Sequence, residues 1–304
     1  MMTNYSALYL ATLTSQKGRA SMQRLLNRLP EHNSGQPVDW TGITPSQVVM
    51  MIASMEDKGL SVSTLNTALS AIKGVCHAAW REHALSDESY PRIKDIKQKK
   101  QSKLPTGRAI TYDEVQSLLS TCLQDKNQTK GCRDAAIITL GVYVGLRRSE
   151  IADLKAKRID LENMTIRVLG KGNKEEVLPL PESIKQYLIP WLNMRTQSIT
   201  DQHLTGIYLF GAISKSGKLL NLDGISDKQV WEVLKQRSLA AGIDVDNLPT
   251  PHDMRRTRAT TLLDAGVHPR IAQKMMRHAN VETTMRYDRG NIDDALREAV
   301  NHVD

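Results

Sequence analysis

Four short clusters place cations, imidazoles and one phenol where they could act on a phosphate ester. They are Gly145-Leu146-Arg147-Arg148-Ser149-Glu150, Gly170-Lys171-Gly172-Asn173-Lys174, His252-Asp253-Met254-Arg255, and His278 followed by Tyr287. Arginine suits a phosphate because its planar fork donates two parallel hydrogen bonds and keeps its charge. Arg147 stands at the end of an apolar segment, and Glu150, one turn on, can orient a neighbouring cation. Lys171 sits between two glycines, and a mobile ammonium on a turn can protonate a leaving oxygen. His252 and Arg255 are three apart and share a face of any helix that carries them. Taken singly, each cluster has a commoner structural reading. These are a surface Arg–Glu pair, a turn lysine, a wet arginine-bearing helix, a histidine at a helix C-terminus, and half-buried packing for one tyrosine among eight. An adjacent His-Asp also fits a metal phosphohydrolase, but the further ligands are not evident, so no metal site is expected.

The elements that must hold these residues follow from periodicity and caps. Thr250 can cap a helix with Pro251 at its first position and Asp253 at capping-box spacing. His252 and Arg255 then fall in the first two turns, where free N–H groups favour an anion. His278 ends a helix that begins at Pro269. Residues 164–169 and 175–180 alternate enough for a β-hairpin over the turn 170–174. Thr111 and Glu114 form a capping box that opens the second half of the chain, with helical signals over 115–122 and 133–144 and again from Asp227 onward. The first hundred residues read as four helices, around 5–13 and 20–29, then from Thr44-Pro45 to a stop at Gly59. The fourth is marked by Leu65, Ala68, Leu69, Ile72, Val75, Cys76, Ala79 and Trp80 at helical spacing. The fold class is mainly α with a small β-hairpin (α+β). It is divided into a helical domain over 1–92, a basic linker over 93–108, a second domain over 109–290 and a C-terminal helix over 291–304.

Composition narrows the partners. The 304 residues suffice for two domains, each with its own core. Net charge is +8, which favours an anionic polymer. Aromatics are only 4% of residues, with Phe210 the one phenylalanine, which predicts aliphatic, methionine-filled cores and disfavours a single-strand binder built on stacking platforms. Cys76, Cys122 and Cys132 lack metal or redox spacing and read as inert thiols in a reducing cytosol. Neither a signal peptide nor a membrane anchor is expected. Between Arg92 and Lys103 lie six basic residues (Arg92, Lys94, Lys97, Lys99, Lys100, Lys103) against Asp95. Such a run is either a solvated linker or a strap along a phosphate backbone.

In combination the clusters say more than they do singly. Gly-Leu-Arg-Arg-Ser-Glu, Gly-Lys-Gly-Asn-Lys-Glu, Pro-His-Asp-Met-Arg-Arg-Thr and His278…Tyr287, in this order, resemble the tyrosine recombinase (phage integrase) family. The likeness covers residues 111–288 and extends more weakly to residues 63–73, which resemble the family's core-binding helix in a SAM-like domain. It implies a DNA strand transferase with Arg147, Lys171, His252, Arg255 and His278 as catalytic cations and imidazoles. Tyr287 would be the nucleophile, Glu150 a supporting residue, and Arg148, Arg256, Lys94, Lys97, Lys99, Lys100 and Lys103 DNA contacts. It further implies a 3′-phosphotyrosine intermediate, no cofactor or metal, duplex DNA with paired sites, and a homotetramer coupled by the C-terminal helix. An accessory DNA-bending or directionality factor is compatible with that scheme, and a cytoplasmic, nucleoid-associated location follows from it. The tail's apolar face (Ile292, Ala295, Leu296, Ala299, Val300) could equally dock on its own domain.

A clamp around the duplex is expected from two domains on one linker, with no separate arm-binding domain ahead of them. The alternatives are a type IB topoisomerase-like relaxase and a catalytically silent DNA-binding regulator. Integration or excision of a mobile element is weighed against chromosome-dimer resolution. Three departures stand out: Arg277 where the family usually has glycine, Met275-Met276 for leucines, and Glu175-Glu176 after the lysine turn.

Overall fold

In a computed structural model of the chain, the described residues are 3–100, 107–170, 175–196, 206–214, 216–220 and 223–278. Lys103, Lys171, Tyr287 and the tail from residue 291 lie outside them. The chain divides into two compact units, Met1–Leu104 and Pro105–Asp304.

The first unit is helical. Its described helices are α1 (Tyr5–Thr12), α2 (Gln16–Arg28), α3 (Pro45–Asp57), α4 (Val62–Arg81) and α5 (Ser89–Asp95). Caps explain the boundaries. Thr44 and Gln47 close a reciprocal capping box ahead of α3, and Ser61 accepts from the Thr64 amide at the start of α4. The expected apolar stripe of α4 lines the core, with Leu65, Ala68, Leu69, Ile72, Val75, Cys76 and Ala79 all buried against Met51 and Met55 of α3. A short fifth helix was not expected. Ile93 on α5 is buried in this core, and the Lys73 ammonium donates to the carbonyls of Lys94 (2.8 Å) and Ile96 (2.6 Å), closing the C-terminus of α5. Asn66 then holds the Lys99 backbone at both N–H and C=O, each at 2.9 Å. The start of the basic run therefore lies on the first unit, with Lys94, Lys97 and Lys100 exposed and Lys99 paired with Glu56.

The second unit contains α6 (Tyr112–Leu123), α7 (Gln128–Thr139), α8 (Arg148–Ala152), α9 (Lys185–Thr196), α10 (Asp227–Ala240), α11 (Pro251–Asp264) and α12 (Pro269–Met276). An antiparallel sheet of order β1-β2-β3 joins Ile159–Asp160, Thr165–Leu169 and Glu175–Pro179. The register pairs Leu169 with Glu175 and Ile166 with Leu178, so the hairpin brackets the segment that holds Lys171. The helix α9 was missed by periodicity because Pro190 interrupts it, yet it carries Trp191, whose indole N–H donates to the Leu209 carbonyl at 2.9 Å. Trp191 stacks on Phe210 with ring centroids 6.0 Å apart. This core is thus aliphatic around one aromatic pair, with Met254 and Met276 buried beside it.

A buried ion network ties α6, α7 and α10 together. Arg237 donates to Asp134 from Nε (2.9 Å) and Nη2 (2.7 Å), to Asp125 (2.6 Å) and to the Thr121 carbonyl (2.9 Å). The buried Cys76 and Cys122 thiols are pushed up to about 12 by loss of hydration, which makes them inert at neutral pH. Among the described residues no helix is long and apolar enough to cross a membrane.

Candidate active site

Three segments meet at a cleft of about 330 Å³, whose lining is Arg147, Arg148, Ser149, Thr250, Pro251, His252 and Arg255. The first begins where α7 ends. Its helix runs on through one π turn, Leu140–Val144, and stops at Gly145, whose backbone is left-handed at φ 73°. Glycine reaches that conformation without a Cβ clash, and it lets the chain reverse directly into Leu146 and Arg147. The Gly145 carbonyl accepts from Arg255 Nη1 at 2.6 Å.

Arg147 is the cap of α8, and Glu150 serves it twice. Glu150 Oε2 accepts from the Arg147 backbone N–H at 2.7 Å, and Oε1 accepts from Arg147 Nη1 at 2.6 Å. The Arg147 side chain stays 42% exposed while that of Glu150 is only 7% exposed. The carboxylate is therefore a prop from behind, and the guanidinium is the group that faces solvent.

Helix α11 supplies the second arginine and the first histidine. The expected capping box is present: Asp253 accepts from the Thr250 amide (2.8 Å) and hydroxyl (2.7 Å). Its other oxygen accepts from the Arg108 amide at 3.0 Å. Arg108 itself forms a two-pronged pair with Glu114, both contacts at 2.6 Å, and the Ile110 amide donates to Thr257 at 2.8 Å. The irregular segment that precedes α6 is thus strapped across α11. That strap was not legible in sequence, since Arg108 and Asp253 are 145 positions apart.

The third segment is the end of α12. Arg255, 3% exposed, donates to the Met276 carbonyl from Nη2, and Arg147 Nη2 donates to the Arg277 carbonyl at 3.0 Å. Two orphan carbonyls at a helix C-terminus, the negative end of its dipole, therefore hold two arginines next to one another. Arg277 caps the helix in the left-handed region at φ 52°. A non-glycine residue there costs about 1–2 kcal/mol. The Arg277 side chain, 3% exposed, donates to Glu150 Oε2 at 2.5 Å. The departure from glycine is accommodated, with the turn geometry that glycine would favour retained. His278 follows directly. Its N–H donates to the Gln273 carbonyl and its carbonyl accepts from Gln273 Nε2, both at 3.1 Å, which fixes the backbone behind the ring.

The electrostatics are dominated by clustered cations. Burial and then the charges of Arg255, Arg147 and the His252 ring lower the His278 imidazole to about 4. His252 is exposed at the rim, yet loss of part of its hydration and the charges of Arg256 and Arg255 also lower its pKa below 6.5. Both rings are neutral at pH 7, so each has one N–H to donate and one lone pair to accept. Among the described residues no group of three His, Cys, Asp or Glu is arranged to hold a metal.

Arg147, Glu150, His252, Arg255 and His278 are thus brought together, from positions up to 131 apart in sequence. Lys171 and Tyr287 lie outside the described residues. Of the expected DNA contacts, Arg148 is exposed and 3.6 Å from Asp227. Arg256 is buried, with its Nε 3.8 Å from Asp253, and presents little surface to a duplex. Glu175 and Glu176 lie near Arg158 (3.2 Å) and Arg277 (4.0 Å), turning the hairpin's acids towards the protein's own cations.

A profile of the phage integrase family matches residues 108–292, and one of the phage integrase N-terminal SAM-like domain matches residues 5–83. Tyrosine recombinase XerA of Pyrococcus furiosus is 31% identical over 262 residues, covering 86% of this chain and 81% of its own. Tyrosine recombinase XerD of Oceanobacillus iheyensis is 29% identical over 276 residues, covering 91% and 86%. The fold matches that of the Tn1549 transposon integrase in complex with a circular intermediate DNA, at a TM-score of 0.72 and 22% identity over the whole of both chains. Taken with the paired arginines and neutral imidazoles of the cleft, these matches make the chain a member of the phage integrase family, a tyrosine recombinase that transfers DNA strands.

Proposed function

We propose that this recombinase exchanges strands between two duplex sites by cutting each strand with Tyr287. The phenol oxygen attacks the scissile phosphorus, the bond from phosphorus to the 5′-oxygen breaks, and a 3′-phosphotyrosine and a free 5′-hydroxyl result. His252, neutral at working pH, takes the phenol proton, and Lys171 gives one to the departing oxygen. Arg147 and Arg255 grip the non-bridging oxygens, where each donor contributes roughly 3–4 kcal/mol as charge builds at phosphorus. His278 donates its N–H to the same phosphate. A 5′-hydroxyl from the second duplex then reverses the step, and the energy of the broken ester is kept in the tyrosyl link.

The observation that carries this reading is the pairing of Arg147 and Arg255 on the successive carbonyls of Arg277 and Met276, beside two neutral imidazoles. Exchange between paired sites calls for a tetramer, coupled by the tail from residue 291, and backbone contacts through Arg148 and the exposed Lys94, Lys97 and Lys100 would make affinity strongly salt-dependent. Movement of a mobile element is the favoured errand, because the segment before His278 departs from Leu-Gly-His. Such an enzyme acts on cytoplasmic DNA, with a DNA-bending or directionality factor to set the outcome.

The test uses nicked suicide duplexes with a randomised core, from which the cut strand cannot be re-ligated. Wild-type protein should form a covalent adduct on a selected sequence, and Tyr287→Phe should form none. An adduct that persists in Tyr287→Phe would refute the assignment. Relaxation of any supercoiled plasmid without a selected site would point to a relaxase instead.

A further inference from the structure

We infer that Arg277 is a positioning residue for cleavage: it neutralises Glu150, so that Arg147 keeps its charge for the phosphate. This deepens the reading above and rests on Arg147 being a phosphate ligand.

The geometry separates the three charges by role. Glu150 accepts from both arginines, through Oε1 from Arg147 at 2.6 Å and through Oε2 from Arg277 at 2.5 Å. Arg277 is 3% exposed at its side chain and cannot itself meet a duplex, whereas Arg147 is 42% exposed. A carboxylate paired with Arg147 alone would weaken the charge that Arg147 offers to a phosphate. With a second cation on the same carboxylate, the set Arg147–Glu150–Arg277 carries a net +1, and its exposed member is Arg147. Burial strengthens this effect, since few waters are present to screen it.

Arg277 is also tied to the clamp through its backbone, because its carbonyl accepts from Arg147 Nη2 at 3.0 Å. Its Nε lies 4.0 Å from Glu176 on β3, the strand that leaves the turn bearing Lys171. The guanidinium thus stands between the support of Arg147 and the base of that hairpin. A buried arginine held in a left-handed turn is a costly choice for capping alone, as glycine fills that role without strain.

The test separates charge from turn geometry. Arg277→Gly suits φ 52° and retains the carbonyl, so it removes only the side chain. Single-turnover adduct formation on the suicide duplex should fall about tenfold, a fraction of what loss of a direct transition-state donor costs. The Kd for the same duplex should change less than threefold, and Tm should not fall. Arg277→Lys should restore most of the rate. In a Glu150→Gln background, Arg277→Gly should cost less than threefold, because the charge it balanced is gone. Wild-type rates in Arg277→Gly would overturn the inference. So would an equal tenfold loss in both backgrounds, or joint loss of binding, rate and Tm without rescue by lysine. An adduct absent from the wild type as well would instead overturn the residue roles themselves, and this inference with them.

Discussion

Replacing Gly145 with alanine probes the turn on which both arginines depend. The backbone there is left-handed at φ 73°, which costs an alanine about 1–2 kcal/mol. The added Cβ would stand 2.9 Å from Met276 Cε, 3.0 Å from its Sδ and 3.2 Å from Arg258 Cγ. Met276 is flexible but fully buried, so its end must move into occupied space, adding about 1–2 kcal/mol. The sum is about 2–4 kcal/mol, and a unit of this size loses roughly 2–4 °C per kcal/mol. The melting transition of the second unit should therefore drop by roughly 4–16 °C. Because the Gly145 carbonyl holds Arg255 at 2.6 Å, adduct formation should also fall about tenfold, a fraction of a donor's full contribution. Gly266→Ala separates the two costs. Its φ is 73° as well, but a Cβ there meets nothing within 4 Å, so only the backbone cost applies. Calorimetry of the two variants decides the matter. A Gly145→Ala protein that melts within a degree of wild type and cleaves normally would refute the account of the turn.

Other outcomes follow from the same geometry. Asp253→Ala removes the acceptor for Thr250 and Arg108, and should destabilise by about 2–3 kcal/mol with slowed cleavage, measured by chemical denaturation and adduct formation. Arg237→Met leaves Asp134 buried with Arg133 as its remaining cation, a loss of about 3–5 kcal/mol, which Asp134→Asn in the same chain should partly recover. His278 titrates at about 4 when folded against 6.5 unfolded, so its contribution is complete above pH 6.5 and is lost as pH falls towards 4. The loss is at most about 3 kcal/mol, and His278→Gln should flatten that part of a stability–pH curve. His252, also lowered, should place the acid limb of adduct formation at limiting protein below pH 6.5; a limb above 6.5 would argue against His252 as the base.

Much of the site was legible because its signals are local. Thr250, Pro251 and Asp253 announce the start of α11 by chemistry within four residues, and that start sets His252 and Arg255 on one face. The hairpin was readable from alternation over ten residues. The helix α9 was not, since Pro190 breaks the period on which such a reading relies. The short α5 was masked by its own charges: in a run of lysines, Ile93 and Ile96 are the only sign that one side is buried. Arg277 was visible as a departure from glycine, but its partner Glu150 lies 127 positions away. Nothing near Arg277 in sequence says whether its charge points to solvent, to DNA or inward. Arg256 shows the same limit, an arginine next to Arg255 in sequence that the fold turns inward.

The sequence alone determined the class of chemistry, because residue type decides what can grip a phosphate, shuttle a proton or serve as a nucleophile, and the order of the four clusters is specific to one family. It also determined the helix starts, since caps act over three or four residues. Only the tertiary structure decided which cations face outward and which are spent on internal carboxylates and carbonyls. That choice depends on burial and on partners more than a hundred positions away, and neither is encoded in any local stretch of chain. The two arginines came to lie side by side because the end of α12 offers the carbonyls of Met276 and Arg277 to them.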